Sequence, residues 1–179
     1  MNAKKRKLKA YLIGAMEAAE NLGAGWREDI TPFLESLGFD VLNPCEFEPE
    51  QLKDLRPNRL PKFYTDLSGK KVKPKHWHDL KNASEPHLYD RFVRYMRRII
   101  RYDINIVRKE MDIGIVFWDK AAGLGAGSHA EMTEAFMLDK PVYCIAKSDV
   151  PAWLKACCTD IVLSFDDLKT RLTEDFGED

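Results

Sequence analysis

Apolar residues recur along the chain in two patterns, and each pattern predicts one kind of secondary structure. Apolar side chains three or four residues apart predict helices, which we place at about 26–37, 89–109, 129–138 and 166–171. Short continuous apolar runs bounded by turn residues predict buried strands. These runs are KAYLIGAM (9–16), FDVLNP (39–44), DIGIVFW (112–118), PVYCIA (141–146) and, more weakly, DIVLSF (160–165).

The alternation of strands with helices predicts an α/β fold. Right-handed crossovers between such strands build a parallel sheet covered by helices. We therefore expect a single flavodoxin-like or Rossmann-like domain of three layers, with a mostly parallel sheet of about five strands. Ligands of such sheets bind beyond the carboxyl ends of the strands, where the strand order reverses. The loops after Gly14 and Trp118 are expected at that site.

The segment from about 44 to 88 interrupts this alternation. Six of the nine prolines fall between Pro44 and Pro86, together with Gly69 and many charged residues. Because proline disfavours both helix interiors and central strands, regular structure should be sparse there. We interpret the segment as an elaborated connection within one domain of residues 1–179, of the kind that forms a lid or a wall of a binding site.

Composition excludes several classes of protein. The chain has 45% hydrophobic and 32% charged residues and a net charge of −1, which argues against a general nucleic-acid binder. The stretch KKRKLK (4–9) is expected to be a solvated tail, with nucleic-acid contact as the alternative. No apolar run is long enough for a membrane span or a secretory signal, so we expect a cytoplasmic protein with reduced cysteines.

The sequence GLGAGSHAEMTEA (123–135) raises two interpretations of Glu131. Ser128 and Glu131 match a capping box, in which the two side chains satisfy the first free amides of a helix. Against that, the segment follows a predicted buried strand, and its glycines allow a ligand to approach the backbone closely. The position favours a functional site.

A second carboxylate, Asp103, lies on an apolar stripe. It falls in the series Phe92, Met96, Ile99, Asp103 and Ile106, which is spaced by three and four residues. An acid on this stripe faces the sheet, where burial raises its pKa toward the range that a proton donor requires. The alternative is that the helix is rotated slightly and that Asp103 lies at the solvent edge of the stripe.

Other side chains have weaker signals. His76, His78 and His87 could bind a metal, but no recognised ligand spacing accompanies them, so we predict none. Trp77 could stack on a base or cover a core. Arg94, Arg98 and Arg101 form a basic face that is either solvated or able to hold a substrate phosphate.

Three stretches together resemble a known family. YLIGAM (11–16), Asp103 and GSHAEMTEAFMLDKPV (127–142) are similar to motifs of the nucleoside 2-deoxyribosyltransferase superfamily. The resemblance implies that Glu131 is the nucleophile that attacks C1′ of a deoxyribose and that Asp103 assists departure of the base. It also implies that Tyr11 positions Glu131 or the sugar.

The resemblance extends to the residues around these groups. It implies that Gly14 lines the pocket, and Asp119 is the nearest candidate for an aspartate that binds the sugar. Gly125, Gly127 and Ser128 are placed at the start of a helix, where amides can hold a phosphate.

The function implied is transfer of deoxyribose from a nucleoside to another free nucleobase, without a cofactor and within a homo-oligomer. If water replaces the second base, the same residues make a hydrolase of a deoxynucleoside or its monophosphate. A phosphoribohydrolase is a rival, although the loop lacks that family's adjacent glycine pair. A noncatalytic nucleotide-binding domain is a further alternative.

Overall fold

The computed structural model describes residues 6–16, 19–46 and 60–177. By its internal contacts the chain divides into two compact units. We call Met1–Phe47 with Asp103–Asp179 the sheet unit, and Glu48–Tyr102 the inserted unit.

In chain order, the described strands are β1 (Lys9–Gly14), β2 (Asp40–Leu42), β3 (Tyr64–Thr65), β4 (Lys71–Val72), β5 (Ile113–Trp118), β6 (Val142–Ala146) and β7 (Asp160–Val162). The described α-helices are α1 (Ala24–Ser36), α2 (Pro86–Lys109), α3 (Ala126–Met137), α4 (Ala152–Cys157) and α5 (Phe165–Phe176). Short 3-10 helices lie at Glu20–Gly23, Trp77–Asn82 and Ala122–Leu124.

The sheet unit contains a five-stranded sheet in the order β2-β1-β5-β6-β7, with every neighbouring pair parallel. This confirms the predicted α/β fold and its parallel sheet. The chain moves outward from β1 in one direction to β2 and in the other to β5. The switch point, where ligands bind in open α/β sheets, therefore lies at the carboxyl ends of β1 and β5.

Alternate residues of the strands face opposite layers of helices. On one side, Leu12, Ile115 and Ile145 belong to a buried cluster that includes Ile30 and Leu34 of α1 and Leu168 and Leu172 of α5. Tyr11 has the opposite orientation to Leu12 because successive strand residues alternate, and its hydroxyl reaches α3 on the other side. The sheet is thus covered on both faces, as its nearly continuous apolar strands predict.

Two local features differ from the predictions, and a third agrees with them. α3 begins at Ala126 rather than near His129, because the glycines assigned to the loop are compatible with its first turn. α4 was not predicted, since six residues are too few to show a helical period. α1 contains Pro32 in its interior and still continues to Ser36, where Gly38 follows with a φ of 85°, the left-handed conformation expected after a helix.

The inserted unit has more regular structure than its prolines predicted. β3 and β4 form an antiparallel hairpin, whose turn is held by Asp66, since its carboxylate accepts hydrogen bonds from the amides of Ser68 and Lys70. The unit has its own small core, formed by Tyr64, Trp77, Leu80, Ala83 and Leu88. Residues 47–59 of the predicted connection lie outside the described part of the chain, and its role as a lid or wall stays a prediction.

Three further findings concern the described residues as a whole. All four cysteines are free, and Cys144 is buried in β6 as predicted. No described helix combines the length and the apolar composition needed to cross a bilayer. Within the same ranges, no three His, Cys, Asp or Glu side chains are grouped so that they could hold a metal ion.

Candidate active site

Glu131 lies in the second turn of α3, within the sheet unit. The N-cap of this helix is Gly125, which makes no side-chain capping bond, so Ser128 and Glu131 lie inside the helix rather than at its start. The capping-box interpretation is therefore wrong. Both side chains face inward, with Ser128 6% and Glu131 8% exposed.

Tyr11 is the hydrogen-bond partner of Glu131. Its hydroxyl donates to Oε1 of Glu131 at 2.7 Å, and Tyr11 itself is only 1% exposed. Burial, followed by the negative charge of Glu131, raises the pKa of Tyr11 well above its ordinary value. The phenol therefore stays protonated across the neutral range and remains a hydrogen-bond donor to Oε1 of Glu131.

Asp103 lies close enough to both groups to affect their ionisation. Its side chain is half-buried on α2, and burial raises its pKa to about 7. Burial and then the charge of Asp103 raise the pKa of Glu131 to about 8, while the Tyr11 hydrogen bond and the charge of Arg27 act in the opposite direction. Two carboxyl groups that interact in this way titrate as a pair.

Arg27 is the functional-site neighbour that the sequence analysis missed. It is fully buried, and its guanidinium donates to the carbonyl oxygens of Gly23 at 2.8 Å, Gly14 at 3.0 Å and Leu12 at 3.4 Å. The group also lies 4.7 Å from the ring centroid of Trp26. A signal was available, because Arg27 precedes Ile30 and Leu34 by three and seven residues and so shares their buried face.

A cavity of about 540 Å³ lies at the switch point of the sheet. Two aromatic rings, Trp26 and Phe117, stack on each other with centroids 5.5 Å apart and form part of its lining. The other lining residues are Ala15, Ala19, Asn21, Gly23, Gly25, Asp119, Lys120 and Ala121. The loops after β1 and β5 therefore border this cavity, as the sequence predicted from the topology.

Some of the predicted binding residues lie at the cavity, and the others lie at the start of α3. Asp119 lines the cavity, although its carboxylate accepts a hydrogen bond from the amide of Ala122 at 2.8 Å. Gly14 lies directly behind the lining, because a Cβ there would be 3.0 Å from the Trp26 ring. Gly125, Gly127 and Ser128 do not line the cavity: Gly125 is the N-cap of the helix that carries Glu131, and Gly127 and Ser128 lie in its first turn.

The hydrogen-bonded pair of Tyr11 and Glu131 lies outside the lining of the cavity. Glu131 and Tyr11 do not line the 540 Å³ space. Arg27 connects the two, since it is electrostatically coupled to Glu131 and bonded to Gly14 and Gly23 at the cavity.

The remaining candidates belong to the inserted unit. Trp77 is 4% exposed in that unit's core, so it covers a core rather than presenting a face to a base. His78 packs edge-on against Tyr95. Arg94, Arg98 and Arg101 are exposed along α2.

Comparisons with known proteins give structural neighbours but no match in sequence. No protein-family model matches the chain, and no curated protein matches it. Among solved structures, the chain is similar to a 2-deoxyribosyltransferase from Bacillus psychrosaccharolyticus, with 15% sequence identity, coverage of 90% of each chain and a TM-score of 0.46. A match at this identity and score assigns neither a family nor an activity to the chain.

Proposed function

We propose that the protein is a nucleoside 2-deoxyribosyltransferase, which cleaves the N-glycosidic bond of a 2′-deoxynucleoside or its 5′-monophosphate and transfers the sugar to another base. The observation that carries the proposal is the buried hydrogen bond from Tyr11 to Glu131, with Asp103 coupled to both. The resemblance of residues 11–16 and 127–142 to motifs of that superfamily supports it.

In the proposed reaction, a carboxylate oxygen of Glu131 attacks C1′ as the bond from C1′ to the base nitrogen breaks. A 2-deoxy sugar has no electron-withdrawing 2′-hydroxyl, so its oxocarbenium-like transition state forms readily and a carboxylate can capture it as an ester. The hydrogen bond from Tyr11 favours the ionised form of Glu131 and fixes the oxygen that it contacts.

Asp103 has the complementary role. Burial raises the pKa of both carboxyl groups, to about 7 for Asp103 and about 8 for Glu131, so the pair still holds a proton at neutral pH. In the proposed reactive form, Glu131 is the ionised member and Asp103 carries the proton, which it delivers to the departing base. When a second base attacks C1′ of the ester, Glu131 leaves as a carboxylate and the proton of the incoming base returns to Asp103. Water in place of that base would give hydrolysis by the same groups.

The test is base exchange with each 2′-deoxynucleoside, or its monophosphate, and a different free base, followed by chromatography that separates exchange from hydrolysis. We expect Glu131→Gln to lower turnover by at least about 10³-fold, since the amide cannot form the ester. The matched control is Glu134→Gln, because Glu134 lies on the same helix but pairs with Arg108 at 2.5 Å.

A second measurement identifies the intermediate. Acid quenching during turnover, followed by peptide mass spectrometry, should find a deoxyribosyl adduct on the peptide that contains Glu131. Full base exchange by Glu131→Gln, or an adduct on another residue, would overturn the proposal.

A further inference from the structure

The charges of this chain are strongly segregated. Residues 60–102 contain eleven Lys and Arg and four Asp and Glu, a net charge of +7, although the whole chain has a net charge of −1. The remaining residues therefore carry −8. The net charge of the whole chain is the sum of these two opposite charges. It therefore does not exclude a local surface that binds nucleic acid. Charge asymmetry of this size within one chain is typical of a polyanion-binding surface.

The basic residues include a continuous stripe on α2. Arg94, Arg97 and Arg101 are exposed, and their spacing of three and four residues places them on one side of the helix. Lys71 and Lys73 are exposed on and beside the hairpin. All five side chains belong to the inserted unit, and we call them together the basic surface.

The cations of the basic surface are not engaged in ion pairs in the described part of the chain, although Asp90 lies one turn before Arg94 on α2. Among the residues that the structure describes, none of the five forms an ion pair with Asp or Glu. Three of the four acids of residues 60–102 are engaged by backbone amides instead: Asp66 in the hairpin turn, Asp79 at the 3-10 helix and Glu85 beside β3. Surfaces without a partner normally intersperse both signs of charge.

The inserted unit also has two exposed aromatic rings. Phe63 is 43% exposed, with the Lys71 ammonium 5.3 Å from its ring centroid, and Tyr89 is 46% exposed in the first turn of α2. Cations that contact a phosphate backbone, together with rings on which bases stack, are the combination that binds single strands. Paired bases of a duplex offer no free faces to such rings.

The apolar side of α2 argues against a membrane as the partner. A helix that lies in a bilayer surface needs a free apolar face to insert. Within the inserted unit, Leu88 is part of the core, and Phe92 and Tyr95 pack against that core. We infer that the basic surface binds single-stranded nucleic acid through its phosphates, with Phe63, beside Lys71, as a stacking position.

The test is fluorescence anisotropy of a labelled 20-nucleotide oligothymidylate titrated with the full chain at 50 and 200 mM salt. We expect binding that weakens as salt rises, because phosphate contacts release counterions. The triple variant Arg94→Gln, Arg97→Gln and Arg101→Gln should bind at least tenfold more weakly at 50 mM salt. Its salt slope should be smaller by about 2, the value for three lost contacts on a single strand.

The matched control removes the same charge from the sheet unit, with Lys109→Gln, Lys147→Gln and Lys155→Gln, which are all exposed. This control should bind within twofold of the unmodified protein, and circular dichroism should show both variants folded. Phe63→Ala should weaken binding severalfold without changing the salt slope, since stacking involves no counterions.

Three results would overturn the inference: no binding at 50 mM salt, an equal loss of affinity in both triple variants, or a preference for anionic phospholipid vesicles that the oligonucleotide does not compete. Because the proposed base exchange depends on Glu131, the Glu131→Gln protein should bind the oligonucleotide normally. The two proposals can therefore fail separately.

Discussion

Two residues of the sheet unit, Glu131 and Arg27, are buried charges, and the same sequence rule applies to both. An ionisable residue on the apolar face of a helix has to be paired, hydrogen-bonded or neutral. That rule identified Asp103 from its neighbours, and Glu131 was recognised from its glycine-rich context. Arg27 satisfies the rule equally well, because it shares the buried face of α1 with Ile30 and Leu34. Its three carbonyl partners could not be read from the sequence, since they depend on the path of the loop after β1.

The ionisation of Glu131 links stability to pH. Its pKa in the folded protein is raised from an ordinary 4.5 to about 8, so the folded state holds a proton that the unfolded state releases. This contribution to stability is complete below about pH 4.5 and is lost as the pH rises through about 8. Glu131→Gln has no such proton to lose. We expect its free energy of unfolding, relative to the unmodified protein, to rise by roughly 3 kcal/mol between pH 5 and pH 8.

Urea denaturation at both pH values measures this difference. Glu134→Gln is the control, since its surface ion pair should contribute at most about 1 kcal/mol at either pH. Parallel pH profiles of stability for Glu131→Gln and the unmodified protein would show that Glu131 does not titrate as described.

Arg27 should be a major contributor to stability. Arg27→Met retains the apolar length of the side chain but leaves the carbonyls of Gly14 and Gly23 without their donor. Because buried polar groups without partners are costly, we expect a loss of about 3 kcal/mol in the free energy of unfolding. Arg171→Met removes an arginine whose ion pairs lie at the surface, and it should cost about 1 kcal/mol or less. Equal effects of the two substitutions in urea denaturation would contradict this prediction.

At the scale of elements, the sequence predicted the long apolar strands and the long periodic helices, because burial on both faces leaves a strong pattern. The prediction was wrong where an element is short, and where glycine is compatible with both a loop and the first turn of a helix. The hairpin strands β3 and β4 have two residues each, too few to show alternation. Glycines before Glu131 were assigned to a loop, although the first turn of a helix also accepts them.

Lys140, in the stretch 127–142, has a structural role at the end of α2. The Lys140 ammonium donates to the carbonyl oxygens of Val107 at 2.6 Å, Met111 at 2.7 Å and Arg108 at 3.1 Å, at the carboxyl end of α2. These carbonyls have no intrahelical donor, and a cation there also complements the helix dipole. The lysine thus holds the end of the helix that carries Asp103.

Lys140→Met should therefore destabilise the fold by about 2 kcal/mol in thermal or urea denaturation. It should also lower base exchange, since Asp103 lies one turn before Val107. Lys147→Met is a suitable control, because Lys147 donates to a single exposed carbonyl, that of Leu163. A stability loss for Lys140→Met no larger than that of the control would mean that the three bonds make no net contribution.

At the scale of the whole molecule, the parallel sheet followed from the alternation of elements, and the position of the cavity followed from the sheet. The strand order itself needed the structure, because periodicity does not say on which side of β1 the next strand is placed. The segregation of charge was visible in the sequence, but it has physical meaning only because residues 60–102 belong to one compact unit.

The hydrogen bond between Tyr11 and Glu131 joins residues 120 positions apart in the chain. During synthesis, the tyrosine therefore leaves the ribosome long before its acidic partner has been translated. β1 and β2 can meet early, but the pair of side chains cannot form until α3 has emerged. The hydrogen-bonded pair therefore forms only after α3 has been translated, and no amino-terminal fragment ending before α3 contains it.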